Sequence, residues 1–169
     1  MTTDQLNFAL LVLRIVTGVM IFAHGYNHIF GGGKIAGTGR WFASMGMRPG
    51  IVHAWLASVS EIAAAVGLVV GFLAAPAAGA LLGVMLVALV TAHRKNGFFI
   101  FKPGQGWEYV AVISSVAVAI GTLGAGEWSL DDAWDIHQNG WAGLVTTLLI
   151  GVGGTVLLLG TCWRPNRKD

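Results

Sequence analysis

The stretch IVHAWLASVSEIAAAVGLVVGFLAAPAAGALLGVMLVALVTA, Ile51 to Ala92, decides the fold, because in 42 residues Glu61 carries the only formal charge. At about 1.5 Å per residue one helix of that length would measure roughly 63 Å, twice a hydrocarbon core of about 30 Å. The stretch must therefore cross a membrane twice. Its turn falls at Gly71-Phe72-Leu73-Ala74-Ala75-Pro76, since proline cannot continue a helix interior without a break.

Working outward, Leu6 to Phe30 is a long apolar stretch that holds Arg14 and His24, Tyr109 to Gly126 is uncharged, and Trp141 to Gly160 is uncharged. Five spans result. The first is not read as a cleavable signal peptide, because no Lys or Arg precedes it and no small-residue cleavage site follows. Composition agrees with a membrane protein. Of 169 residues 55% are hydrophobic and 11% charged, against roughly 25% charged in a soluble domain, and mean hydropathy is +0.71. A coiled coil, a disordered chain and a water-soluble enzyme are excluded. The net charge of +2 gives no argument for nucleic acid, and the single Cys162 excludes an internal disulfide or a CxxC pair.

The charges test the span count. Five crossings put the N-terminus, the 71–76 turn and the 127–140 segment on one side, and the 31–50 loop, the 93–107 loop and the tail on the other. Of ten Lys and Arg residues, Arg14 lies inside a span. The remaining nine (Lys34, Arg40, Arg48, Arg94, Lys95, Lys102, Arg164, Arg167 and Lys168) share the second side. The first side carries Asp4, Glu127, Asp131, Asp132 and Asp135 instead. The positive-inside rule then sets the N-terminus outside and the C-terminus inside, on the cytoplasmic face. The fold expected is all-α, a polytopic helical bundle in contact with the lipid bilayer.

Other features belong to packing. Gly67, Gly71, Gly79, Gly83, Gly151 and Gly154 allow close helix approach, and Trp41, Trp55, Trp107, Trp128, Trp141 and Trp163 form aromatic belts near span ends. Gly31-Gly32-Gly33-Lys34 lacks the spacing and the preceding strand of a phosphate loop. Thr38 is placed as the cap of a short interfacial helix carrying Trp41, Phe42 and Met45.

Ionisable groups within spans cost about 2.5–3.5 kcal/mol on insertion scales, so each needs a partner or a task. Arg14 and Glu61 lie at depths differing by about 6 Å if the antiparallel spans end flush. A buried Arg14–Glu61 pair is the expectation, with a structural role and a role in proton or ligand handling both open. Near the inner ends of spans gather His24, His28, His53, His93 and Glu108. That set admits three readings: a metal site, a bis-His haem, or a polar pocket for a quinone head group. Against them stands simple residence at headgroup level. On the outer side, Glu127, Trp128, Asp131, Asp132, Trp134 and Asp135 offer carboxylates and aromatics without a lysine or arginine, suited to docking a partner protein.

Arg14, then His24-Gly25, Glu61, Gly97-Phe98-Phe99 and Gly106-Trp107-Glu108-Tyr109 resemble, in order, the DoxX family of small membrane proteins. Gly124-Ala125-Gly126-Glu127-Trp128-Ser129-Leu130-Asp131 is similar to that family's closing Gly-x-Gly-x-x-Ser-Leu-Asp signature. His28 departs from the family, which commonly carries lysine there. The resemblance implies a four-span domain over residues 1–131. Residues 132–169 then add an acidic outer segment, a fifth C-terminal span and a basic tail. Relatives include a membrane subunit of thiosulfate:quinone oxidoreductase, so the resemblance implies a quinone-linked oxidoreductase subunit in sulfur or oxidative-stress redox chemistry. The alternative is a redox-inert anchor or assembly factor. A transporter is disfavoured, since no inverted repeat or mid-membrane helix break is seen. The chain has no flavin, nucleotide, CxxC or CxxCH motif, so any redox role requires a partner to deliver electrons.

Overall fold

The computed structural model describes residues 2–165; Arg167 and Lys168, counted above on the basic side, lie outside the described residues. The architecture is an all-α bundle. In order come α1 (Thr3–Phe30), α2 (Lys34–Ser44), α3 (Gly50–Val70), and α4 (Ala74–Ala88), which a π-helical turn (Leu89–His93) extends. Then follow α5 (Glu108–Leu123), the short α6 (Leu130–Ala133), and α7 (Gly140–Leu148), continued through a second π turn (Leu149–Gly153) into α8 (Gly154–Cys162).

Among the described residues four helices are long and apolar enough to cross a membrane: α1, α3, α4 with its π turn, and the continuous α7–α8 rod. The expected fourth span, Tyr109 to Gly126, is shorter than the sequence suggests. α5 ends at Leu123 because Gly124 takes φ +80°, outside the helical region, and its 16 residues rise only about 24 Å. It packs along α4 and α7 and links the same two ends of the bundle.

Those ends are chemically distinct, as the charge pattern requires. At one end Met47 pairs with Trp163, and the Arg94 guanidinium lies 5.6 Å from the Trp163 ring, so the 31–50 loop, the 94–107 loop and the C-terminal segment share a surface. At the other, Asn7 meets Glu127 and Asp131 meets the α3–α4 turn. The core between them is Ile21, Leu68, Leu81, Leu82, Val110 and Ile120 with small alanines. The outside is apolar too, with Phe8, Val16, Val19, Trp141 and Leu157 exposed, as lipid contact demands.

The α1–α3 register overturns one expectation. A Cβ on Gly18 would fall against Ala65 and Val69, and one on Gly25 against Ser58, Glu61 and Ile62. These two notches bring the helix backbones together and set His24 level with Glu61. Arg14 is thereby level with the end of α3, where its Nη1 donates to the Leu68 carbonyl at 3.3 Å. The Arg14–Glu61 pair is therefore not formed. The depth estimate assumed flush ends, whereas α1 overhangs the end of α3, and with His24 level with Glu61 Arg14 lies ten residues, about 15 Å, beyond Glu61.

The cap assigned to Thr38 is also corrected. α2 begins four residues earlier, at Lys34, and the Thr38 hydroxyl donates instead to the His28 carbonyl at 2.8 Å. It ties α2 to the end of α1. Phe42 is buried from this helix, whereas Trp41 remains exposed.

Candidate functional site

A cleft of about 510 Å³ lies over α4, between α3 and α8, with the ends of α1 and α2 closing it toward the basic end of the bundle. Its walls are chemically graded. Gly79, Ala80, Gly83, Val84, Ile150 and Gly154 make the half toward the acidic end apolar. His28, His53, Glu61, His93 and Tyr109 line the other half. Beyond them Phe42, Met47 and Ala54, packed with Met45, Leu158 and Trp163, form a plug.

The polar groups are held differently. His93, at the end of the π turn, has Nδ1 2.9 Å from the Gln105 carbonyl oxygen. A carbonyl only accepts, so the proton sits on Nδ1, and Nε2 accepts from the Tyr109 hydroxyl at 2.7 Å. Tyr109 and His93 are thus fully oriented. The extra residue of the π turn aims the last side chain of α4 at α5, a device frequent at functional sites.

Glu61 and His28 are close but less satisfied. His28 Nδ1 lies 3.1 Å from Glu61 Oε2, an ion-pair distance when the imidazole is protonated, and neither atom has another partner. His53 is 4% exposed; its Nδ1 has no partner, and Nε2 reaches the Arg48 carbonyl at 3.4 Å. A buried polar atom left unpaired costs about 1–3 kcal/mol. His53 Nδ1 has no partner, and Glu61 Oε2 and His28 Nδ1 have only each other, so the cleft holds polar groups with bonding capacity to spare. Among the described residues no three His, Cys, Asp or Glu side chains are arranged to hold a metal ion.

Of the expected inner set, His24, His28, His53 and His93 do line one cleft, His24 at its exposed rim. Glu108 does not. Its Oε2 accepts from the Ile100 backbone N–H at 3.1 Å and closes the 98–108 hairpin. Glu61, expected beside Arg14, replaces it. Tyr109 was missed as a lining residue, although it follows Glu108 directly; its link to His93 spans a loop that spacing cannot resolve.

The acidic end is likewise reorganised. Asp131 is 3% exposed, and its oxygens accept from the backbone N–H groups of Leu73 at 2.6 Å and Ala74 at 2.9 Å, capping α4. Arg14, itself fully buried, donates from Nη2 to the Trp128 carbonyl at 2.6 Å, and Asp131 is the negative charge acting on it. Gly71 sits between them at φ +67°, where a Cβ would strike the Arg14 guanidinium. Asp131 is therefore part of the fold, not of a docking surface. Glu127 is engaged by the Asn7 side chain at 2.8 Å. Asp132 and Asp135 face the His137 ring at 3.8 and 3.4 Å. Trp128 and Trp134 are exposed, the latter edge-on to Phe72.

No curated protein and no solved structure matches this chain. The DoxX family model matches residues 9–94, from the first turns of α1 to the end of α4's π turn. That is just over half the chain, and it takes in His24, His28, His53, Glu61 and His93 but not Tyr109, Asp131 or the last helix. On this match, and on the bundle that carries it, the protein is a member of the DoxX family.

Proposed function

We propose that the cleft holds the head group of a quinone-type membrane lipid and that the chain is the membrane subunit of a quinone-linked oxidoreductase. The observation that carries this reading is the grading of the cleft. Glu61 Oε2 and His28 Nδ1, which have only each other, and the unpartnered His53 Nδ1 line one half, and the other half is apolar. A molecule with carbonyl or hydroxyl oxygens on an apolar body suits both halves, and the volume falls within the usual 300–1,000 Å³ of ligand pockets. Reduction of a quinone to a quinol takes two electrons and two protons. In this reading a redox centre of a partner protein supplies the electrons, and His28 and Glu61 are the titratable groups for proton exchange. The basic end would face the cytoplasm, by the positive-inside rule. The acidic-end residues Glu127, Trp128, Asp132, Trp134 and Asp135, none of them buried, are left as the docking surface for the partner, now without Asp131.

The test is a quinone inventory. The full chain, purified in mild detergent, is extracted and its quinone measured by difference absorbance, then titrated with added tailed quinone. About one equivalent is expected in the wild type. Glu61→Gln and His53→Ala should each weaken binding by about 10- to 100-fold, the loss of a hydrogen bond worth about 1.5–3 kcal/mol. Wild-type protein that neither retains nor binds quinone overturns the reading.

A further inference from the structure

We infer that the cleft opens sideways into the bilayer between α3 and α8, and that Gly154 is the passage for the apolar tail of the bound lipid. This deepens the proposed function and rests on it for the head group alone. Residues that both line the cleft and are exposed mark its mouth. On the last helix these are Ile150, Gly154, Leu157 and Thr161. Their spacing of four, three and four residues puts them on one helical face. Opposite stands Leu56 of α3, also exposed and lining.

Packing explains why the gap starts where it does. Up to the π turn the last helix is pressed onto α4, since a Cβ on Gly79 would meet Ile150 and one on Gly83 would approach Gly151. At Gly154 a Cβ would meet nothing within 4 Å, although the next residue, Thr155, still reaches the Gly83 carbonyl at 3.3 Å. The opening continues inward to the unpaired, nine-tenths buried atoms of Glu61 and His53. Toward the basic end the plug around Phe42 and Met47 closes the cleft, so an apolar tail has only the lipid-facing route. The occupant is therefore a lipid with a compact polar head and a long hydrocarbon tail, entering from the membrane.

The variant Gly154→Leu places a side chain in the mouth without a clash, and leucine is a better helix former than glycine. Gly160→Leu is its control: that position is equally open on the same helix but does not line the cleft. In nanodiscs, affinities are compared for a decyl-tailed quinone and for the same ring without a tail. Gly154→Leu should weaken the tailed ligand at least about 10-fold, since each apolar CH₂ kept out of the cleft forfeits part of the transfer energy. The tail-less ring should stay within about twofold, and Gly160→Leu should change neither. Equal weakening of both ligands, or none, overturns the portal. A diazirine-tailed long-chain alcohol separates this from the head-group reading. Adducts near Leu56 and Leu157, lost in Gly154→Leu, uphold the portal even if no quinone binds. Their absence from the wild type refutes it even if quinone does bind.

Discussion

Replacing Asp131 by asparagine should be among the most damaging isosteric changes in this protein. The carboxylate accepts two backbone N–H groups, from Leu73 and Ala74, at the start of α4, and is almost wholly buried. Asparagine keeps one acceptor oxygen but turns an NH₂ group toward the other N–H, so one capping bond is replaced by a donor–donor conflict. Loss of a cap costs about 0.5–2 kcal/mol, and loss of a negative charge from a buried helix N-terminus up to about 2 kcal/mol. Arg14, fully buried and bonded to the Leu68 and Trp128 carbonyls, also feels that charge at longer range. Cap and helix-terminus charge together come to about 1–4 kcal/mol, which at roughly 2–4 °C per kcal/mol for a chain of this size is about 2–16 °C in Tm. The assay is thermal unfolding in detergent, followed by circular dichroism at a fixed detergent-to-protein ratio. Asp135→Asn serves as the control, because that side chain is exposed and should leave Tm unchanged. If Asp131→Asn does not insert, Asp131→Glu, which keeps the charge on a longer arm, should give an intermediate Tm. A Tm for Asp131→Asn equal to that of the control would refute the cap and return Asp131 to the surface.

Two further outcomes follow from the same geometry. In a double-mutant cycle of Arg14→Gln with Glu61→Gln, stability losses should add within about 0.5 kcal/mol, because the residues share no partner; His28→Gln with Glu61→Gln should show coupling above that level. Coupling in the first cycle and additivity in the second would reverse the register described above. For orientation, a fluorescent protein fused after Asp169 should fold and fluoresce while a periplasm-dependent phosphatase inserted at Gly126 is active; the opposite pattern would invert the molecule.

Length and charge along the chain are one-dimensional quantities, and what depends on them was legible in the sequence. The apolar run 51–92 is too long for one crossing and carries its own turn at Gly71. The segregation of lysine and arginine from aspartate separates the two ends of the bundle before any contact is known. The gathering of His24, His28, His53 and His93 near one end was legible for the same reason, since each sits at the end of a span. The partner of each buried charge was not. Depth along a helix is readable only if the helices start level, and α1 does not start level with α3. Gly18 and Gly25 fix where the two backbones touch, and that register gives Arg14 to the Leu68 and Trp128 carbonyls, and Glu61 to His28. Whether a carboxylate in an acidic segment faces water or caps a helix likewise depends on what the chain brings beside it. Asp131 lies next to Asp132 in sequence, yet one is buried on the N-terminus of α4 and the other stands beside His137. The cleft itself exists because the last helix packs tightly on α4 through Gly79 and Gly83, while at Gly154, which lines the cleft, nothing stands within reach of a side chain. Apolar sequence alone drives a helix into the membrane, but which neighbour it touches is decided by shape, where a single missing side chain outweighs a turn of hydrophobic ones.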